Sequence, residues 1–192
     1  MMEIALIRPG STDYDAQGRI QGTLDLPLSD IGEAEVRRII GELRERELEA
    51  IYASPAQSAW QTASTIAEAL GSRLKKLEKL HNLDHGLWQG MLIEEVKRKQ
   101  PKVFRQWQEQ PETVCPPEGE TLGQAQERVQ TSLCKVVKKH KAGRIGLVVP
   151  EPLASIVQSF LSHTDLGDLW KSDKQCGSWE MLSVEPQQLA AL

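Results

Sequence analysis

Short apolar runs alternate along this chain with longer segments of helical periodicity, and that alternation constrains its fold more than any other feature. Runs at about 3–8, 50–54, 74–80, 144–150 and 178–184 read as strands, and segments near 30–47, 55–70, 91–108, 120–141 and 152–163 read as helices. Strands separated by helices pair in parallel through crossover connections, so the pattern predicts a three-layer α/β fold, a mostly parallel central sheet with helices on both faces. The 192 residues are enough for a substantial core. No internal repeat or second core is visible, so one domain over 1–192 is expected, with a helical and loop insert at about 81–119. Pro111, Pro116, Pro117 and Gly119 mark the loop that closes this insert.

Several boundaries have a local cause. Ser54-Pro55-Ala56-Gln57 reads as a capping serine with proline at the first helical position and glutamine three after the cap, and Thr121-Leu122-Gly123-Gln124 has the same capping-box form. Lys138, Lys139 and Lys141 fall in the last turn of the 120–141 helix, where cations oppose its negative end, and Gly143 can supply a left-handed stop. This basic cluster reads as a solvated helix end rather than an anion site. The tail from Glu185, with Pro186, Gln187 and Gln188, reads as a poorly ordered terminus.

Composition excludes some functions. A net charge of -4 and a pI near 5.7 argue against general nucleic-acid binding, which needs a basic face. No apolar run approaches the ~20 residues that cross a bilayer, so no membrane partner is expected. Cys115, Cys134 and Cys176 are odd in number and irregularly spaced, which fits reduced thiols and a cytoplasmic location.

Five segments carry chemistry. The first strand runs into Leu6-Ile7-Arg8-Pro9-Gly10, followed by Gln17-Gly18-Arg19-Ile20-Gln21-Gly22, Asp25, Pro27-Leu28-Ser29 and Gly32. Next come Ser54-Pro55-Ala56-Gln57-Ser58-Ala59-Trp60-Gln61-Thr62-Ala63 and Leu80 to Gly90, ending Gly86-Leu87-Trp88-Gln89-Gly90. Gly119-Glu120-Thr121 with Arg128, then Leu147-Val148-Val149-Pro150-Glu151-Pro152, complete the set. In this order and over roughly 1–163, the segments resemble the histidine phosphatase (phosphoglycerate mutase-like) superfamily.

The resemblance implies an α/β fold and a phosphate pocket built from two arginines, two histidines and a carboxylic acid, one histidine carrying the phosphoryl group. A phosphoryl group bears about two negative charges, so its site needs convergent cations, an in-line nucleophile and an acid on the leaving oxygen. Arg8 matches the first arginine. The nucleophilic histidine falls on Pro9, the second arginine on Ser58, the acid on Asn82 and the second histidine on Glu151. Proline has no heteroatom with which to attack phosphorus. Serine lacks the charged fork of arginine, and asparagine cannot deliver a proton to an alkoxide. Glu151 sets a negative charge where phosphate would lie, and two unit charges 4 Å apart interact by about 4 kcal/mol at an effective dielectric near 20.

Other residues offer no evident rescue. His81 and His85 flank the position of the acid, and packing or surface roles are expected for both. Ser11 and Thr12 have no general base at usable spacing, and Asp84 reads as a cap. Asp13, Asp15 and Gly18 have calcium-loop spacing, but the twelfth position is Leu24, so no metal is expected. No cofactor is expected. The five tryptophans read as packing residues. The vestigial phosphate pocket is therefore Arg8, Pro9, Ser58, Asn82 and Glu151, and the expected protein is an inactive pseudophosphatase with a binding or assembly role. Its partner, a protein or a small molecule, and its oligomeric state stay open. The alternative is an active phosphomonoesterase or mutase using a shifted constellation. A third reading is a pocket re-used for a neutral or cationic small molecule anchored by Glu151. With no phosphate to bind, Arg8 is expected to form a salt bridge with Glu151, directly or through a single water, that closes the pocket against anions, the paired N–H donors suiting a bidentate contact.

Overall fold

The computed structural model describes residues 2–140, 142–172 and 175–185. Its sheet has the order β3-β2-β4-β1-β5, built from β1 (Met2–Ile7), β2 (Ala50–Ala53), β3 (Arg73–Lys76), β4 (Gly143–Val148) and β5 (Trp179–Val184). Pairings β1–β4, β2–β4 and β2–β3 are parallel, and β5 runs antiparallel to β1 at one edge. The helices are α1 (Asp13–Gln17), α2 (Asp30–Leu43), α3 (Gln57–Leu70), α4 (Ile93–Lys99), α5 (Pro101–Glu109), α6 (Leu122–Lys139), α7 (Leu153–Ser162) and α8 (Leu169–Ser172).

Alternation along the strands builds two apolar layers, as the period of two requires. Ala5 and Ile7 of β1 join Ile51 and Ala53 of β2 beneath α2 and α3. Ile4 and Leu6 join Ala50, Tyr52, Ile145 and Leu147 on the opposite face, under α6 and α7. Leu80, Leu83, Trp88, Val96, Trp107 and Val114 pack into this second layer, so residues from the 81–119 segment share the core of the sheet. Trp88, Trp107 and Trp170 meet at ring separations of 6.0–6.2 Å, and Trp170 stacks on Phe104 at 4.9 Å.

Five local expectations are corrected. The strand expected at 74–80 ends at Lys76, because its partner β2 ends at Ala53, and residues 78–80 form a 3-10 turn. The helix expected near 91–108 is broken, since Pro101 forces Gln100 out of helical geometry (φ -134°, ψ 57°) and starts α5 afresh. The helix expected over 30–47 stops at Leu43 and tightens into a 3-10 turn. Ser54 does not cap α3: the cap is Ala56, without a side-chain bond. The Gln57 N–H is instead met by Asp25 Oδ1 at 2.8 Å. Gly143 has the expected positive φ (96°) but opens β4, three residues beyond the His140 cap of α6. The Thr121–Gln124 capping box is present as expected. Lys141 and the tail from Pro186 lie outside the described residues.

Candidate functional site

The carboxyl ends of β1, β2 and β4 converge on one pocket, as is general for open α/β sheets. Arg8 and Pro9 leave β1 and are held by the approach to β5, through Arg8 N–H to Ser178 O (2.8 Å) and Gly177 N–H to Pro9 O (2.7 Å). Gly10 then crosses the first turn of α2 so closely that a Cβ on it would lie 2.3 Å from Gly32 O. Ser58 comes from the first turn of α3 and Glu151 from the loop between β4 and α7. Arg8, Pro9, Gly10, Ser58, Pro150 and Glu151 line the cavity together with Asp15, Arg19, Gln21 and Cys176.

Each guanidinium nitrogen of Arg8 has a partner within this pocket. Its Nε donates to Glu151 Oε1 at 2.5 Å, its Nη1 to Glu180 Oε1 at 2.8 Å and its Nη2 to Gln158 Oε1 at 3.2 Å. The side chains of Arg8 and Glu151 are 4% and 3% exposed, so the pair is out of solvent. Gln158 Nε2 closes the ring on Glu180 Oε2 at 2.8 Å. The other Glu151 oxygen accepts from Ser155 N–H (3.1 Å) and Oγ (2.8 Å), in the first turn of α7, where the helix dipole favours an anion. Burial works against the charge on Arg8. The fields and hydrogen bonds of Glu151 and Glu180 more than offset it, raising the guanidinium above its ordinary value. The pairing of Arg8 with Glu151 is thus present, but it is not bidentate, because Glu180 and Gln158 take the rest of the fork. The cavity that remains is ≈ 20 Å³, room for about one water.

Asn82 stands behind the cavity rather than in its wall. Its Nδ2 donates to Glu151 O at 2.9 Å and its Oδ1 accepts from Leu83 N–H at 2.9 Å. The loop that carries it is tied down by Arg128, which donates to the carbonyls of Lys79 (2.8 Å), His81 (2.7 Å) and Asn82 (3.2 Å) and pairs with Glu120. Asp84 caps locally, accepting from Gly86 N–H at 2.8 Å. His81 bonds Asn82 O at 3.0 Å and does not line the cavity. His85 is buried among Trp88 and Trp107, where burial pushes its pKa down to about 4 against the opposing field of Asp84. It borders a separate void of ≈ 10 Å³ that also touches Glu151. Its Nδ1 and the Trp88 Nε1 are buried without a partner.

Sequence reasoning missed three features here. Glu180 has a readable signal, since it is the one charge inside the apolar strand Trp179–Val184. Arg19, a second cation lining the cavity, donates to Gly90 O at 2.7 Å. Ser11 does have a carboxylate neighbour, because its Oγ donates to Glu35 Oε2 at 2.8 Å, but that oxygen also accepts Ser11 N–H at 2.7 Å and serves as a turn cap.

A mostly parallel sheet with its pocket at the ends of β1, β2 and β4 defines an α/β protein of the phosphoglycerate mutase-like fold. Among solved structures, "Bacillus stearothermophilus YhfR" superposes with a TM-score of 0.85 over 96% of this chain and 92% of its own, at 24% identity. The sequence profile of the histidine phosphatase superfamily (branch 1) matches residues 4–192, and the chain belongs to that superfamily. The match runs past residue 163 and so takes in β5 and Glu180. "Phosphoserine phosphatase 1" of Hydrogenobacter thermophilus is 32% identical over 188 residues, covering 98% of this chain and 89% of that protein. "Phosphoglycerate mutase-like protein 4" of Arabidopsis thaliana is 33% identical over 153 residues, covering 76% of this chain and 65% of that protein.

Proposed function

We propose that this chain is a catalytically silent histidine phosphatase whose former phosphate position is occupied by its own carboxylates, and that it acts by binding or assembly. The observation that carries this reading is the bonding of all three Arg8 guanidinium nitrogens, by Glu151, Glu180 and Gln158, beside a cavity of ≈ 20 Å³. Pro9 offers no nucleophile, Ser58 supplies no second cation, and Asn82 spends its donor on Glu151 O. Arg8 and Arg19 against Asp15, Glu151 and Glu180 leave a net negative charge, which repels a phosphate dianion.

The test is turnover of an aryl phosphate and of phosphoserine at high protein concentration, followed by a search for acid-labile phosphoprotein. We expect neither turnover nor label, and Pro9→His alone should restore neither, because Asn82 and Glu151 still oppose the chemistry. Stoichiometric labelled phosphate on any histidine, or wild-type turnover abolished by Arg8→Ala, would overturn the reading. A second reading, an active phosphomonoesterase or mutase with a shifted constellation, draws support from the relative named phosphoserine phosphatase 1. The same measurement separates the two.

A further inference from the structure

Ser155 and Gln158, which hold Glu151 and Arg8 in place, also line a second cleft, of ≈ 390 Å³, bounded by α7, the loop after it and α8. Every residue that lines it is polar or glycine. We propose that this cleft binds a small, neutral, polyhydroxylated molecule of the cyclitol or sugar-alcohol class. It lies outside the cavity at Arg8, so the proposal stands whether or not that cavity is silent.

The sequence builds the cleft from two anchored pieces. Ser155, Gln158 and Ser159 are spaced i, i+3, i+4 and share one face of α7, while Leu153, Ala154, Ile156, Val157 and Leu161 are buried. The helix ends at His163 in the left-handed conformation (φ 52°). Ser159 fastens the turn, its Oγ donating to Thr164 O at 2.5 Å and its carbonyl accepting Thr164 N–H at 3.2 Å. The chain then crosses to α8, where Leu169 and Trp170 are buried and Trp170 Nε1 donates to Phe104 O at 3.1 Å. Asp168 is fixed as well, since its Oδ2 accepts from Gln108 Nε2 at 2.5 Å and its Oδ1 from Trp170 N–H at 3.1 Å. The cleft is the space left between the polar face of α7 and this tethered loop.

Polar side chains on the outer face of a helix are ordinary. Solvation alone does not require them to converge from three segments on one concavity, in the size range of small-molecule sites, about 300–1,000 Å³. Part of the wall is also preformed. Gln158 accepts from Arg8 at 3.2 Å and donates to Glu180 at 2.8 Å, and Ser155 Oγ donates to Glu151 at 2.8 Å. Each of the two side chains keeps further capacity, an amide hydrogen on Gln158 and hydroxyl lone pairs on Ser155. Among the described residues, the side chains of Thr164, Asp165 and Gln175 make no hydrogen bond and add a hydroxyl, a carboxylate and an amide to the lining.

The chemistry of the lining chooses the ligand. An anion would meet Asp165 and Asp168 against one ammonium, Lys171, which is already paired with Asp168 at 3.4 Å. A cation would find Asp165 as the one unshared carboxylate of the lining, exposed and screened by salt. An apolar ligand would desolvate hydroxyls and amides with nothing to replace their water. Each hydroxyl of a polyol both donates and accepts, which matches a wall of hydroxyl, amide and carboxylate groups.

The experiment is titration of the full chain with myo-inositol, followed by the backbone amide and arginine side-chain resonances. We expect saturable shifts at Ser155, Ser159, Thr164 and Lys171, with half-saturation at about 1 mM, as suits a ligand of few non-hydrogen atoms. The Arg8 Nε–H resonance should move along the same curve, because Gln158 touches both sites. Thr164→Val/Asp165→Ala changes two exposed loop residues; it should weaken binding about tenfold or more and leave the circular dichroism unchanged. Gln175→Ala should weaken it in the same direction, and Arg37→Gln on α2 should bind like wild type. Shifts that grow linearly without saturating, as an excluded co-solvent produces, would overturn the proposal, as would a double variant that binds as tightly as wild type. Displacement of inositol by spermidine or by inorganic phosphate at lower concentration than inositol itself would assign the cleft to a charged ligand and sink it equally.

Discussion

At Arg8, one guanidinium is bonded to two carboxylates, Glu151 and Glu180. Removing one partner from a buried ion pair leaves the other charge uncompensated, at a cost of about 3 kcal/mol. Arg8 keeps Glu180 as a second carboxylate, so Glu151→Ala should lower unfolding stability by at most about 3 kcal/mol in urea denaturation. Glu151→Gln keeps the volume and can retain a hydrogen bond to Ser155. It removes one of the two negative charges on Arg8, so it should be the single substitution that most improves sulfate or phosphate binding by calorimetry; no gain would show that closure does not depend on this charge. His85 adds a pH dependence. It titrates near 6.5 in the unfolded chain but only at about 4 when folded, so between these values the unfolded state binds more protons. Its contribution is whole above about pH 6.5 and falls as pH drops toward 4, by about 2 kcal/mol between pH 7 and pH 5. His140, whose pKa is also lowered, contributes with the same sign. His85→Phe removes the unpaired Nδ1 and should flatten this dependence in denaturation curves at pH 7 and pH 5, whereas an unchanged slope would assign it to other groups.

At the level of elements, the pocket depends on close backbone approach and on caps. Gly10 and Gly32 face each other across the loop and α2, and a Cβ on Gly32 would lie 2.1 Å from Ser11 O. The clash is with backbone, so no rotamer relieves it. Gly32→Ala should destabilise by about 1–3 kcal/mol and displace the Pro9–Gly10 turn, readable as a fall in melting temperature with shifted amide resonances for residues 9–12. Thr121→Ala removes the acceptor for Gln124 N–H and should cost about 1 kcal/mol in the same assay. The α6 cap was legible because serine or threonine followed by glutamine at the third position is a local arrangement. The α3 cap was misread for the opposite reason. Asp25, thirty-two residues away, supplies the acceptor, and no local pattern reports so distant a partner.

For the whole molecule, we propose that residues 1–192 fold as one unit, with the 81–119 segment part of it. Trp88 and Trp107 share a layer with Ile4, Leu6 and Leu147, so tryptophan fluorescence and far-UV circular dichroism should report one coincident unfolding transition. Two separated transitions would divide the segment from the sheet. Strand and helix alternation, the fold class and the family were readable from sequence, because periodicity and short motifs are local records of burial and backbone geometry. That Pro9, Ser58, Asn82 and Glu151 stand where the resemblance implies a histidine, an arginine, an acid and a histidine is what we propose from the same contiguous motifs. Sequence also pointed to the Arg8–Glu151 pair, because both residues follow strands whose ends must meet in a parallel sheet. It did not reveal Glu180 and Gln158 as the other partners of Arg8, or the position of Asn82 behind the cavity. Those contacts join residues remote in the chain, and they exist only once strand order, register and helix packing have brought two surfaces together.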